Sequence, residues 1–252
     1  MWGEIQICSD LHLDQIKKYH FSRMVSPIGK ILIMAGDICH IVNLHKHFDF
    51  FSYLSSHFEY VIYVPGNHEF YNNLNLTIEE LENKINIFLG NFSNIYYLNN
   101  KSVVINDILF TGSCLWCSPS IDPPPWFKVN LSSKDIKNLY NQSVNYIEKV
   151  CSLNYKNHIV ITHYPPILID FINSDENSGK NEVGDVDNVG NFENKKHIKY
   201  NEYYQNNDII LFNMPKIWIF GHIHKNYNSF LYGTSYISNQ YKGKNYNPRY
   251  CL

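Results

Sequence analysis

The sequence predicts an α/β fold built on a mixed sheet or on two stacked sheets. Two observations lead there. Short apolar runs of β type alternate with longer patterns of helical spacing, and a strand-rich middle is followed by further buried strands. The chain also has 252 residues, of which 44% are hydrophobic, enough to fill one large core.

The elements follow in order. "EIQICS" reads as the first strand, then "KILIMAG" and "YVIYVPG". Between the last two, Leu44, Phe48, Phe51 and Leu54 recur at helical spacing and predict a helix over 43–58. "TIEELENKINIFLG" begins with the capping box Thr77-x-x-Glu80 and stops at Gly90, which predicts a second helix. Strands are expected at "NIYYL", "SVVI" and "ILFTG", a long helix over Ser132 to Leu153, and two more buried strands at "HIVITH" and "KIWIFGH". "NSFLYG" and "TSYISN" predict a closing hairpin turned at Gly233. The stretch Asn173 to Tyr200 is polar and rich in Gly and Asn, and it interrupts two apolar regions. It reads as an insertion in a single domain over 1–252, either a surface loop or one that lies over the active site.

Composition removes several functions. A formal charge of −2 gives no electrostatic case for a dedicated nucleic-acid binder. No run approaches the roughly 18 apolar residues of a membrane helix. "MWGEIQICSD" lacks the basic start of a secretory signal, so the protein is expected to be cytoplasmic. Six scattered cysteines fit reduced, buried thiols, and the lone Cys114-x-x-Cys117 has no second pair with which to hold zinc. Ala35 is the only alanine, while Asn, Ile, Tyr and Lys abound, a bias typical of AT-rich genomes.

The chemistry stands at the strand ends. "CSDLHLD" places Asp10 and His12 after the first strand. "GD" places Asp37 after the second, and "GNHE" places Asn67 and His68 after the third. "ITH" places His163, and "GHIH" places His222 and His224. In α/β sheets ligands bind at the carboxyl ends of strands. Two aspartates, several histidines and one amide oxygen form a mixed N/O set suited to Zn, Mn, Fe or Ni rather than to Ca. Strand alternation would send Asp10 and His12 to one side as a clip, and His222 and His224 likewise. Gly36, Gly66 and Gly221 stand where the backbone must turn before these ligands. His20, His45, His47, His57, His158 and His197 lie outside the pattern and read as surface or helix residues.

D-x-H, G-D, G-N-H-E, H and G-H-x-H in this order resemble the calcineurin-like metallophosphoesterase superfamily, from Asp10 to His224. "GNHEFY", "TGSCLW", "WIFGHIH" and the late "NPR" are similar to a bacterial-type, uncharacterised branch of it. The resemblance implies a four-layer α-β-β-α sandwich with mixed sheets and a two-metal centre at one sheet edge. It implies Asp10, His12, Asp37 and His224 on one ion, and Asn67, His163 and His222 on a second that shares Asp37. It further implies a phosphoesterase in which a hydroxide between the ions attacks phosphorus and His68, not itself a ligand, protonates the leaving oxygen. Phosphodiester or nucleotide substrates fit best. A non-catalytic protein-binding scaffold and a nuclease acting on polymers, with Trp126 stacking a base, remain as alternatives. The protein-phosphatase branch has an Asp-Arg pair after Gly-Asp and an Arg before Gly-Asn-His-Glu. Here His40, Ile41 and Pro65 stand there, so phosphate-gripping arginines are missing and His68 lacks its usual acidic partner.

Overall fold

The computed structural model describes residues 4–167, 203, 206, 209, 211–243 and 245–252. The polar segment 173–200 lies outside them. Four parallel strands form a first sheet in the order β1 (Ile5–Cys8), β2 (Ile31–Ala35), β3 (Tyr60–Val64), β4 (Ile95–Tyr97). The second sheet contains β5 (Lys101–Ile105), β6 (Ile108–Ser113), β7 (His158–Thr162), β8 (Ile217–Ile219), β9 (Tyr227–Leu231) and β10 (Thr234–Ser238), in the spatial order β5-β6-β7-β8-β10-β9. Its centre is parallel and its two edges, β5 and β9, are antiparallel. The helices are the single turn α1 (Phe21–Met24), then α2 (Phe48–His57), α3 (Ile78–Leu89) and α4 (Ser133–Cys151).

The pleat explains the layering. In β2, Ile31, Ile33 and Ala35 point into a cluster shared with Phe110, Ile159, Ile161 and Ile219 of the facing sheet. The intervening Leu32 and Met34 join an outer cluster with Phe50 and Leu54 of α2 and Leu81 and Ile85 of α3. The same alternation splits β7 and β8: Ile217 and Ile219 face inward, while Val160 and Trp218 share the outer cluster with Ile136 and Ile147 of α4. The order is therefore helix, sheet, sheet, helix, as the resemblance implies. The two capping boxes form as read: Thr77 with Glu80 and Ser132 with Asp135. The closing hairpin turns through Tyr232 and Gly233, both at positive φ (52° and 82°).

One helix differs from expectation. The pattern predicted over 43–58 is a tight 3-10 turn from Ile41 to His47, and regular helix begins only at Phe48. The cause is Asp14. Its carboxylate accepts the His40 N–H at 2.6 Å and the Asn43 side-chain N–H at 2.8 Å, which pins the start of this segment.

The sheets approach closely at Gly112 of β6. A Cβ there would clash with Leu98 and lie 2.7 Å from Val64 Cγ2, both in the layer between the sheets. Gly112→Ala is expected to lower stability by about 1–3 kcal/mol through overpacking. Gly90→Ala, at φ −58°, is expected to change it by less than about 1 kcal/mol. Thermal unfolding of both variants checks this, and equal melting points would show that the sheet gap can relax.

Candidate metal centre and active site

The strands end before the ligands do. β1 stops at Cys8 and β8 at Ile219, so the pleat does not make the expected clips. Left-handed turns make them instead. Asp10, His12, Asp37, His222 and His224 all have positive φ (56°, 44°, 56°, 74° and 49°). Such backbone costs of order 1 kcal/mol or more per residue, and Asp and His tolerate it better than most. Of the three glycines expected to turn the chain, only Gly36 has positive φ (85°). Gly66 and Gly221 serve close approach: a Cβ on either would strike the carboxylate of Asp37 or Asp10.

Six of the predicted ligands form two groups. Asp10, His12 and His224 offer ligand atoms within 4.8 Å of one another, and so do Asp37, His163 and His222. In the first group His12 Nε2 is 3.2 Å from His224 Nε2, and His224 Nε2 is 3.6 Å from Asp10 Oδ1. In the second, His163 Nε2 is 3.3 Å from Asp37 Oδ1 and 3.1 Å from His222 Nδ1. Asp37 reaches across, with Oδ2 at 3.7 Å from His12 Nε2 and 3.8 Å from His68 Nε2. Asn67, the seventh, donates from Nδ2 to the Tyr71 hydroxyl at 2.9 Å, while its buried Oδ1 has no hydrogen-bond partner. An orphaned buried carbonyl costs about 1–3 kcal/mol. A cation held by this donor set would satisfy it, so the residues fit a metal centre.

For two of the rings the protonation pattern agrees. Burial holds His12 well below the ordinary imidazole value, and burial with the neighbouring His163 does the same for His222. Neutral rings are what a metal needs. The other ring nitrogens are fixed by their partners: His163 Nδ1 faces Ala35 O at 3.0 Å and His222 Nε2 faces Tyr203 O at 3.0 Å. For Asp37, burial raises the pKa, but the imidazoles of His163, His68 and His12 overcome it and hold the carboxyl well below its usual range. For His163, burial opposes the charged form, yet Asp37 outweighs it and pushes the ring up to about 9. Burial raises Asp10.

His68 is half-buried beside both groups. It stacks on Tyr71 at 4.3 Å and meets His12 edge-on at 4.6 Å. His40 does not take over the acid's role, since the two rings are 6.1 Å apart and His40 Nδ1 is instead 4.0 Å from Asp14 Oδ2.

Several contributors escaped sequence reasoning. Glu69 is fully buried and accepts from the backbone N–H groups of Asp37 (2.9 Å), Ile38 (2.7 Å) and Gly66 (2.7 Å) and from the Tyr63 hydroxyl (2.8 Å). It stood in the quoted "GNHE", but nothing in the pattern assigned it a role. Lys242 comes from the C-terminal tail and bonds Gln15 at 2.6 Å, on the wall of a pocket shared with His12, Asp37, His40 and His68. Two histidines read as surface or helix residues are buried. His158 bonds Thr111 at 2.9 Å, and its burial pulls it down to about 4; His47 bonds Tyr19 at 2.9 Å. His20, His45 and His57 are exposed, and His197 lies outside the described residues. All six cysteines are free thiols, five of them buried.

Glu69→Gln would place an NH₂ group against two N–H or O–H donors. It is expected to cost about 3 kcal/mol in stability and to weaken metal retention about 10- to 100-fold. Thermal unfolding and elemental analysis read the two effects separately; if neither moves, the Asp37 loop is fixed by something other than Glu69.

Among the described residues no helix is long and apolar enough to cross a membrane. An uncharacterised protein of Acanthamoeba polyphaga mimivirus is 25% identical over 280 residues, covering 97% of this chain and 94% of its own. The phosphopantetheinyl hydrolase of Mycobacterium tuberculosis superposes with TM-score 0.63 at 13% identity, over 95% of this chain and 90% of its own. The TT1561 protein of Thermus thermophilus does so with TM-score 0.52 at 12% identity, over 98% and 96%. These likenesses concern the fold. The model of calcineurin-like phosphoesterases matches residues 4–226, a span that takes in the strand tips from Asp10 to His224. The chain therefore belongs to the calcineurin-like phosphoesterases, a family of metal-dependent hydrolases of phosphoester bonds.

Proposed function

We propose that the protein hydrolyses phosphodiester or nucleotide-type substrates at a dinuclear centre bridged by Asp37. The observation that carries this is the pair of ligand groups with one carboxylate between them, Oδ1 against His163 and Oδ2 against His12. Mn, Fe, Zn or Ni suits the N/O set. When bound, such ions polarise phosphoryl oxygens and provide a nucleophile near neutral pH.

The chain's own residues do the rest. Asp10, His12 and His224 hold one side of the site, and Asp37, Asn67, His163 and His222 the other. Among the described residues, His68 is the half-buried imidazole beside Asp37 that the ligand set does not need, so it protonates the leaving oxygen as general acid. Tyr71, stacked on its ring, sets its orientation. Lys242, bonded to Gln15 of the pocket wall, supplies positive charge near a site that lacks the protein-phosphatase arginines.

Elemental analysis of loaded protein is expected to give two ions per chain, falling to one or fewer in Asp37→Asn. A ratio of one that this substitution leaves unchanged rules out the bridge. His68→Ala is expected to keep both ions and lose about 10²- to 10⁴-fold in kcat for alkyl esters. The loss should be much smaller for p-nitrophenyl esters, whose leaving group needs no proton. Equal losses for both ester types would exclude the general-acid role.

A further inference from the structure

We propose that a second cavity beside the metal edge binds a phosphate group remote from the scissile bond, so that the preferred substrates carry two phosphates. The cavity has a volume of about 440 Å³ and is formed by the segment from Lys17 to Phe21 against Lys46 to Phe50. Its size is that of a small-molecule subsite. Lys17, Lys18 and Lys46 line it with His20, against a single acid, Asp49. In a chain of formal charge −2 this is a local reversal of sign. Lys46 Nζ bonds the Asn43 side-chain oxygen at 2.8 Å, which holds it at this rim, and three lysines lining one concavity suit a multiply charged anion.

The floor is rigid. Tyr19, Phe21 and Phe50 pack with ring centroids 5.8 to 5.9 Å apart, which leaves the lysines as the adaptable rim. The cavity also adjoins the catalytic pocket. His47 lines the one and Asp14 the other, and His47 Nε2 is 3.5 Å from Asp14 Oδ1. Tyr19 completes the partition through its 2.9 Å bond to His47 Nδ1. A substrate whose ester lies at Asp37 and His68 therefore needs only to pass this partition to bring a second phosphate among the lysines. As a statement about substrates the proposal rests on the phosphoesterase reading; as a statement about an anion site it does not.

The test compares wild type with Lys17→Gln/Lys18→Gln/Lys46→Gln and with the charge-conserving Lys17→Arg/Lys18→Arg/Lys46→Arg. All three lysines are exposed, so both variants should fold. Binding of inorganic triphosphate is measured by calorimetry at low salt, and KM for a nucleoside bisphosphate, the matching monophosphate and p-nitrophenyl phosphate by turnover. The Gln variant is expected to bind triphosphate roughly tenfold more weakly and to show a roughly tenfold higher KM for the bisphosphate alone. The Arg variant should resemble wild type. If triphosphate binding and the bisphosphate KM are both unchanged by Gln, the anion site is wrong. Weaker triphosphate binding with an unchanged bisphosphate KM overturns the role in substrate selection. If wild type cleaves none of the esters but loses triphosphate binding on substitution to Gln, the phosphoesterase reading fails while the anion site stands.

Discussion

Asp37 is a carboxylate withdrawn from water, and most of the site follows from that fact. Burying a lone carboxylate costs several kcal/mol, so the charge must be met from every side. The His68 backbone N–H donates to Oδ1 at 2.9 Å, and imidazoles that follow β1, β3 and β7 face its two oxygens. A second buried carboxylate, Glu69, sits close by, and burial together with Asp37 pushes it up to about 7. The two tolerate each other because backbone N–H groups stand between them: that of Asp37 itself points at Glu69. The G-D turn and the G-N-H-E turn are thus one hydrogen-bonded unit, tied before any ligand is counted.

Much of this was legible in the sequence, and for definite reasons. The strands of the inner layers are apolar on both faces, so "ILIMA" and "IVIT" announce themselves, and the polar residues that break each run had to lie at an edge. All seven predicted ligands fall there. The clips did not follow from strand periodicity, because the strands stop short of them and left-handed turns take over. Glu69 was illegible as an organiser: its partners come from β3 and from the turns after β2 and β3, and only the folded chain brings four donors to one side chain. Lys242 was illegible for a related reason, since it follows the last strand and Gln15 the first. The start of the helix after β2 was misread because spacing shows an apolar stripe but not the Asp14 carboxylate that tightens its first turns.

Tyr71 couples two functions that are otherwise separate. Its hydroxyl accepts from Asn67 and so aims that amide, while its ring stacks against His68. One side chain therefore fixes the proposed metal-binding amide and the proposed proton donor against each other. An aromatic face restrains the plane of an imidazole but makes no demand on which nitrogen carries the proton. A carboxylate partner does both. The stack on Tyr71 thus restrains the plane of the His68 ring.

The C-terminal tail lies along the free edge of β1. Ile7 N–H bonds Tyr250 O at 3.1 Å, Leu252 N–H bonds Ile5 O at 3.0 Å, and Ser9 pairs with Gln240. A strand near residue 5 is thus covered by residues between 240 and 252, which are made much later. During synthesis β1 and the predicted ligands Asp10 and His12 must wait with an open, apolar edge, a surface prone to pairing with other chains. Long-range closure of this kind is also slow. Until residues 224–252 have been made, Asp10 and His12 lack both His224 and the strap over β1, so this candidate group matures in one late step rather than by stages.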